Sequence, residues 1–583
     1  MRYPSYLPLS ANLPNVGSKF LPLRQVRTWL ATQRFYQLAL LAILAVGVSL
    51  PLRLLDRFPL REDEAIYSFW ALHGWREDPF FLTVWPDKPP LFLWLLALAF
   101  QVGGASQVTG RLLNMMLTLL TALIIGATAR HWWGRRSGML ATLLYLLNPF
   151  VISFAPTVYT DPMLVLAGQL ALFLAATGRS FGAGVWLAVA IMTKQQGVLY
   201  VPLIAGVLGC CFNQRAGVRT WLRFGLGAVI VLAPLLYWDS LRWAVAPSPW
   251  DLSVRNYGAL QLLSPAVWWA RSVAWAKVLW YFTASGPVWG LLIGGIVVAL
   301  WQRDIRKLRL GQFSWLVLWS LCFLALHVTT SVQIWDRYVL PLAPMLCLMV
   351  VWAVAILNAS RNESSNVILP GRGQVFSSLA EKVVPPSWKT APANARFGVG
   401  LHFDHHFSHP GAYHWWTVGL LVSLLWLVPP ALSASTGGLP IGGDHGAYSG
   451  LPEAIDWLKT QTSGKVVLYH QRLGWHYQFY LYDQLATGAY ELRWFPNPTY
   501  LADNAAKHPY QARFLIEPAW APQPDLVHQL AVRRSDLVLK ARFQQMTVYE
   551  IITNPQRPCT WCLCRSRTPW VTLASPDLLL EPR

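Results

Sequence analysis

Charge is scarce in this chain, and acidic charge is scarcest. Of 583 residues only 13% are charged, with 27 Asp and Glu against 47 Lys and Arg. Soluble domains carry roughly 25%, so an ordinary soluble protein is excluded. A disulfide framework is also missing. Cys210, Cys211, Cys322 and Cys347 lie in apolar runs, where a free thiol packs as a small hydrophobe. Cys559, Cys562 and Cys564 form a C-x2-C-x-C group, but no further Cys or His pair stands at zinc-finger spacing. No internal repeat is visible, which weighs against a transporter built from inverted repeats. No small-residue cleavage site follows the first apolar run, so that run reads as an uncleaved helix.

What is abundant is hydrophobic length. Apolar residues make up 54% of the chain, and the 32 tryptophans suit a bilayer interface. A spanning helix needs about 20 mostly apolar residues. Candidate spans are 37–55, 108–129, 137–155, 162–177, 182–193, 196–212, 221–238, 286–301, 313–331, 338–357 and 415–433. The fold class is therefore an α-helical polytopic membrane protein of about 11–13 transmembrane helices. The net charge of +20 is concentrated in short loops, where Lys and Arg orient helices, so it does not indicate nucleic acid.

Loop charge also settles a doubtful segment. Residues 91–105 are apolar, start after Pro89-Pro90 and stop at Gly103-Gly104. If they lie along the outer surface, the basic loops at Arg130–Arg136, Arg215–Arg219 and Arg303–Arg309 all share the side of the basic N-terminus. The positive-inside rule favours that arrangement. It gives a cytoplasmic tail 1–36, a transmembrane domain 37–434 with an outer loop 56–107, and a polar cytoplasmic insertion 358–414. Residues 435–583 have ordinary polar content. Leu451 to Thr460 reads as an amphipathic helix and Lys465 to Tyr469 as a strand, so this part is expected to be a small extracytoplasmic α/β domain.

The remaining charges gather on the outer side. They are Asp63 and Glu64 with Tyr67, then Asp87 and Lys88, then Asp161, Lys194 and Arg337. Ionisable side chains near a bilayer are costly and mark function. Each also has a bland reading. Asp63 and Glu64 could cap a helix, Lys88 could snorkel to the interface, and Arg337 could pair with Asp336. Asp161-Pro162 could merely start a helix, and Lys194 could mark the interface. The stretch His402 to His409 has spacing suited to imidazole ligands, but it falls inside, opposite these charges.

Taken in order, Asp63-Glu64 with Tyr67, Asp87-Lys88-Pro89-Pro90-Leu91 with Trp94, Arg111-Leu112, Asp161, Thr193-Lys194, and Arg337-Tyr338 with Pro341 and Pro344 form a recognisable set. The set resembles the protein O-mannosyltransferase and lipid A aminoarabinose transferase superfamily, membrane glycosyltransferases of the GT-C type. The resemblance covers roughly residues 37–357. It implies a sugar donor on a polyprenyl phosphate, an acceptor that is a glycolipid, glycan or protein, and an active site on the non-cytoplasmic face of the cell membrane. It implies Asp63 as the base that takes the acceptor hydroxyl proton, with Glu64 orienting Asp63 or the acceptor. Lys88 would stabilise the departing phosphate, with Arg337 and Lys194 as further phosphate contacts. Asp161 and Tyr67 would support the loop. Asp87 stands where relatives carry an acidic residue associated with metal, so a divalent ion is an expected cofactor there. A single base without a nucleophilic partner points to inversion. The competing class is a transporter or flippase of a lipid-linked or small polar molecule, which predicts ionisable groups near mid-membrane.

Overall fold

The computed structural model describes residues 23–210, 217–258, 260–301, 310–366, 414–443, 445–509 and 511–554. The His402–His409 stretch and the cysteines at 559, 562 and 564 lie outside the described residues.

Helices α1 (Leu23–Leu52), α2 (Glu62–Arg76), α3 (Leu91–Gly103) and α4 (Gln107–Trp133) open the chain. They are followed by α5 (Arg135–Leu146), α6 (Pro149–Phe154), α7 (Asp161–Ala176), α8 (Ser180–Ile191), α9 (Tyr200–Cys210) and α10 (Val218–Arg242). Next come α11 (Pro249–Tyr257), α12 (Trp268–Trp280), α13 (Gly286–Trp301), α14 (Leu310–Thr329), α15 (Leu342–Asn366) and α16 (His414–Ala434). Among the described residues, Gln33–Leu52, Gln107–Trp133 and Val218–Arg242 are long and apolar enough to cross a membrane by themselves, and shorter apolar helices accompany them. The molecule is an integral membrane protein.

Several boundaries differ from the sequence reading. The first helix starts at Leu23, inside the expected polar tail, because Leu, Gln, Arg and Ala there are good helix formers. The run 137–155 is two helices, since Asn148 Oδ1 accepts from the Phe150 and Val151 amides and caps a new one. α15 continues to Asn366, into the expected insertion. α3 has 13 residues, about 20 Å, against a hydrocarbon core of about 30 Å. It buries Phe92, Leu93, Leu96 and Phe100 and packs on α2 and α4.

After α16 the polypeptide forms an α/β unit. Its helices are α17 (Leu451–Gln461), α18 (Gly474–Tyr480), α19 (Tyr482–Ala486), α20 (Pro498–Lys507) and α21 (Leu526–Val532). Strands β1 (Val466–His470), β2 (Tyr490–Trp494), β3 (Ala512–Pro518), β4 (Ser535–Phe543) and β5 (Met546–Thr553) pair in the order β2-β1-β3-β5-β4. β1 runs parallel to both neighbours, while β5 is antiparallel to β3 and β4. Every β1 residue is buried, as expected for a central parallel strand covered on both faces. α17 buries Leu451, Ala454, Ile455 and Leu458, one stripe at helical spacing.

The sheet unit sits on the end of the helical part that carries the first loop. α18 packs on α2, with Trp475 6.1 Å from Trp70 and His476 Nε2 2.9 Å from the Leu60 carbonyl. Arg76 pairs with Asp483, and the Tyr482 hydroxyl donates to Glu77 at 2.6 Å. Tyr480 donates to Gln107 at the start of α4. The basic turn Arg130–Arg136 is at the other end of that 27-residue helix, about 40 Å away. By the positive-inside rule, the loop and the sheet unit share the extracytoplasmic face.

Candidate active site

α2 begins at Glu62, and its first turn carries Asp63 and Glu64 on different sides. Glu64 turns inward and is fully buried. Its carboxylate accepts from the Arg61 amide at 3.0 Å, the Val158 amide at 2.8 Å and the Arg111 guanidinium at 3.2 and 3.3 Å. Burial alone would push this carboxyl up, but Arg111 and Arg61 outweigh it and hold it below the usual carboxylate range. Arg111 also donates to the carbonyls of Leu55, Phe58 and Pro59. This pair therefore ties the loop before α2 to α4 and to the segment before α7. It leaves no Glu64 oxygen facing a ligand, so Glu64 acts on Asp63 only by fixing the helix start.

Asp63 takes the opposite course. Its carboxylate meets Arg337 at 2.6 Å and its side chain stays 19% exposed. Arg337 comes from a 3-10 turn, Asp336–Val339, between α14 and α15. That turn is held by Asp336, whose oxygens accept from the Arg337 amide at 2.8 Å and the Gly442 amide at 2.6 Å. The guanidinium lies over Tyr159, Trp335 and Tyr338 at 4.7, 4.5 and 5.7 Å. Its Nε is buried with no hydrogen-bond partner among the described residues. An uncommitted N–H beside an occupied one is a donor available to an anion.

Further ion pairs join this cluster through shared rings. Lys194 meets Asp161 at 2.6 Å and lies 4.5 Å from the Tyr338 ring that Arg337 also covers. Tyr257 lies 6.5 Å from Trp335, and its hydroxyl accepts from Lys88 at 3.0 Å. Lys88 in turn meets Asp87 at 3.0 Å. Burial works against the Lys88 charge, but Asp87 and Tyr257 more than restore it, so its pKa ends above the ordinary lysine value. Tyr67, one turn after Asp63 on α2, is buried within the field of Asp63, Arg337, Tyr257 and Asp87.

The structure thus gathers Asp63, Tyr67, Asp87, Lys88, Asp161, Lys194 and Arg337, and sets Glu64 behind them. Asp161 and Asp87 are 2% and 3% exposed at the side chain, against 19% for Asp63. Among these carboxylates, Asp63 is the one a substrate can reach. Tyr257, Asn256 and Gln195 are site residues that the sequence reading does not reach. Asn256 donates to Asp87 at 3.3 Å, and Gln195 donates to the Asp87 carbonyl at 2.8 Å. Tyr257 and Asn256 close α11, and no local pattern flags them; only the folding of α11 against the 77–90 loop brings them in.

A divalent ion at Asp87 does not fit these surroundings. One oxygen faces an ammonium at 3.0 Å and the other an amide donor. No group of three His, Cys, Asp or Glu stands together among the described residues. A hard cation takes several oxygen ligands, commonly including carboxylates.

Known proteins share this architecture. The family model described as dolichyl-phosphate-mannose-protein mannosyltransferase matches residues 87–238. That segment holds Asp87, Lys88, Asp161 and Lys194. A Yersinia pestis protein named undecaprenyl phosphate-alpha-4-amino-4-deoxy-L-arabinose arabinosyl transferase is 28% identical over 301 residues, covering 48% of this chain and 52% of its own. The Serratia proteamaculans protein of the same name is 26% identical over 314 residues, covering 50% of this chain and 54% of its own. The chain thus spans about half the length of the curated relatives it matches. The crystal structure of ArnT from Cupriavidus metallidurans bound to undecaprenyl phosphate superposes with a TM-score of 0.57 at 17% identity, over 88% of this chain and 97% of that one. Its apo structure gives the same score over 89% and 98%. The chain thus shares the fold of this solved transferase and carries a segment matched by the mannosyltransferase family model.

Proposed function

We propose that this protein transfers a sugar from a polyprenyl-phosphate donor to an acceptor hydroxyl on the extracytoplasmic face, with inversion. The observation that carries this reading is the division of the charge cluster. Buried cations stand beside one half-buried carboxylate, Asp63, which an arginine holds in place. The relatives whose printed names specify an undecaprenyl-phosphate-linked sugar support the donor class.

Each group has a defined task in this reading. Asp63 takes the acceptor hydroxyl proton while the acceptor oxygen bonds to the sugar carbon. The bond from that carbon to the donor phosphate oxygen breaks, and its electron pair leaves with the lipid phosphate. Lys88 and the free Nε of Arg337 face the charge that develops there, in surroundings from which water is largely excluded. Because each cation already has an acidic partner, the empty site is close to neutral and is not held open by repulsion. Lys194, Asp161 and Tyr67 keep the cations and rings in position. No step is assigned to a metal, since the Asp87 donor set does not suit one. The transporter alternative predicts charges near mid-membrane, whereas this cluster sits at helix ends and loops on one face.

Purified protein given undecaprenyl-phosphate-linked sugar in membranes should consume it and release lipid phosphate. Asp63→Asn should slow release by about 10²- to 10⁴-fold. A wild-type rate in that variant would remove Asp63 as the base. Vesicle uptake of the sugar without consumption would favour transport.

A further inference from the structure

The loop that carries Lys88 and the helix that supplies its partner are joined by a buried ion pair outside the charge cluster. Arg242 ends α10, and Asp239 stands one turn earlier on the same helix. Both are buried, and they meet at 3.5 Å. Each then turns to a different segment. Arg242 donates through Nε and Nη2 to the Phe81 carbonyl at 3.2 and 2.5 Å. Asp239 accepts from the Ser248 hydroxyl at 2.6 Å. That same Ser248 oxygen accepts from the Trp250 amide at 3.3 Å and caps α11.

From Phe81 onward the loop is held at nearly every step to Lys88. Phe81 has φ of 55°, a left-handed conformation that bulky residues rarely adopt and that persists where the surroundings over-determine it. Its ring is fully buried, stacked on Trp94 at 6.4 Å and pressed against Gly74 of α2, where a Cβ would come within 2.8 Å of it. The Asp78 carboxylate then takes the amides of Leu82, Thr83 and Val84 at 2.8, 2.6 and 3.4 Å. Trp85 donates back to the Leu82 carbonyl at 3.1 Å, and Gln195 holds the Asp87 carbonyl. On the other side, α11 runs from the Ser248 cap to Asn256 and Tyr257, the partners of Asp87 and Lys88. Gln195 also donates to the Pro249 carbonyl at 3.2 Å, so a second tie joins the start of α11 to the loop.

We propose that Asp239 and Arg242 are positioning residues: the pair sets α11 in register with the 77–90 loop and so holds Lys88 against Tyr257, facing the departing phosphate. A buried ion pair is weak evidence for stability, and fixing register is the best-attested reason to keep one. The role at the phosphate rests on the transferase reading; the register of loop and helix does not.

Two readouts on the full-length protein in detergent test this separately. The first is the rate of reductive methylation of Lys88, followed by mass spectrometry, which needs no transfer chemistry. Arg242→Met should raise that rate by about tenfold, from loss of a charged hydrogen bond. Ser248→Ala should raise it by less, because Gln195 still ties α11 to the loop, and Ser248→Thr, which keeps the hydroxyl, should recover most of the difference. Lys194, buried beside Asp161, is the internal reference and should label at its wild-type rate. Unchanged labelling of Lys88 in Arg242→Met would overturn the proposal, and so would equal acceleration at Lys88 and Lys194, which is general loosening. The second readout is release of lipid phosphate. Arg242→Met should lower kcat by about 10²-fold, the cost of a small misplacement, with a smaller change in donor KM. In a Lys88→Gln background the same substitution should add little, since two changes acting through one group are not additive. Full additivity would make Arg242 merely structural. If the wild type releases no lipid phosphate, the transferase reading fails, and the labelling of Lys88 alone decides the register.

Discussion

The open and sealed halves of the first-loop charge cluster are built from consecutive residues, and they behave differently. Asp63 and Glu64 each meet an arginine, Arg337 and Arg111. Glu64 is fully buried and its carboxylate accepts from two amides as well as Arg111. Asp63 keeps an exposed edge, and its arginine retains an unused N–H. Both pairs join a carboxylate to a guanidinium; what decides their roles is how many of their hydrogen-bonding positions the protein has already filled. A saturated pair is a structural tie, whereas an unsaturated pair can exchange a partner for a substrate.

The sealed half should give the largest stability effect. Arg111→Met leaves the Glu64 carboxylate buried without its counter-ion and frees the carbonyls of Leu55, Phe58 and Pro59. Breaking one partner of a buried pair costs about 3–5 kcal/mol. The thermal midpoint in detergent should fall accordingly, and adding Glu64→Gln should recover part of it. If Arg111→Met melts with the wild type, the tie is not what holds α2. Asp63→Asn is the control: its exposed edge lets water compensate, so activity should fall far more than the midpoint.

The open half is probed next by Lys88→Gln. Glutamine can still donate toward Asp87 and Tyr257, but carries no charge. Removal of a preorganised donor from a developing anion typically costs about 10²- to 10³-fold in rate. Release of lipid phosphate should drop by that factor, with a smaller loss of midpoint than Arg111→Met. Unaltered release would take the leaving phosphate away from Lys88.

The difference between the halves also explains what the sequence discloses. Hydrophobic runs such as 108–129 and 221–238 are legible because a bilayer imposes length and composition on each segment alone. The central strand is legible because Val466 to Tyr469 must be buried on both faces. The outer-side charges are legible as a set, but their pairing is not. Arg337 is neighbour to Asp336 in sequence, yet Asp336 turns to Gly442 and Arg337 reaches Asp63 across the fold. Tyr257 enters the site only because α11 packs beside the 77–90 loop. Glu64 looks equivalent to Asp63 until the Val158 amide and Arg111 arrive from elsewhere. Such contacts are set by tertiary closure, and no local period records them.

The smallest effect concerns how the sheet unit is held to the open half. His476 is buried beneath the Tyr448 ring at 4.4 Å, and its Nε2 donates to the Leu60 carbonyl. Burial pushes its pKa down to about 4, against a small opposing pull from the Leu60 carbonyl and Glu64. Above the ordinary histidine value of 6.5, docked and undocked imidazoles are both neutral, so docking is fully retained. As the pH falls from 6.5 towards 4, the released imidazole binds a proton that the docked one does not. Docking should weaken by at most about 1.4 kcal/mol per pH unit in that window. Hydrogen exchange of the Leu55–Glu62 amides reads this directly, because undocking frees that segment. His476→Gln keeps an N–H for Leu60 and has no proton to gain, so its protection should decline less steeply over the same range. Equal slopes in the two proteins would place the acid sensitivity elsewhere, among the carboxylates of the first loop itself.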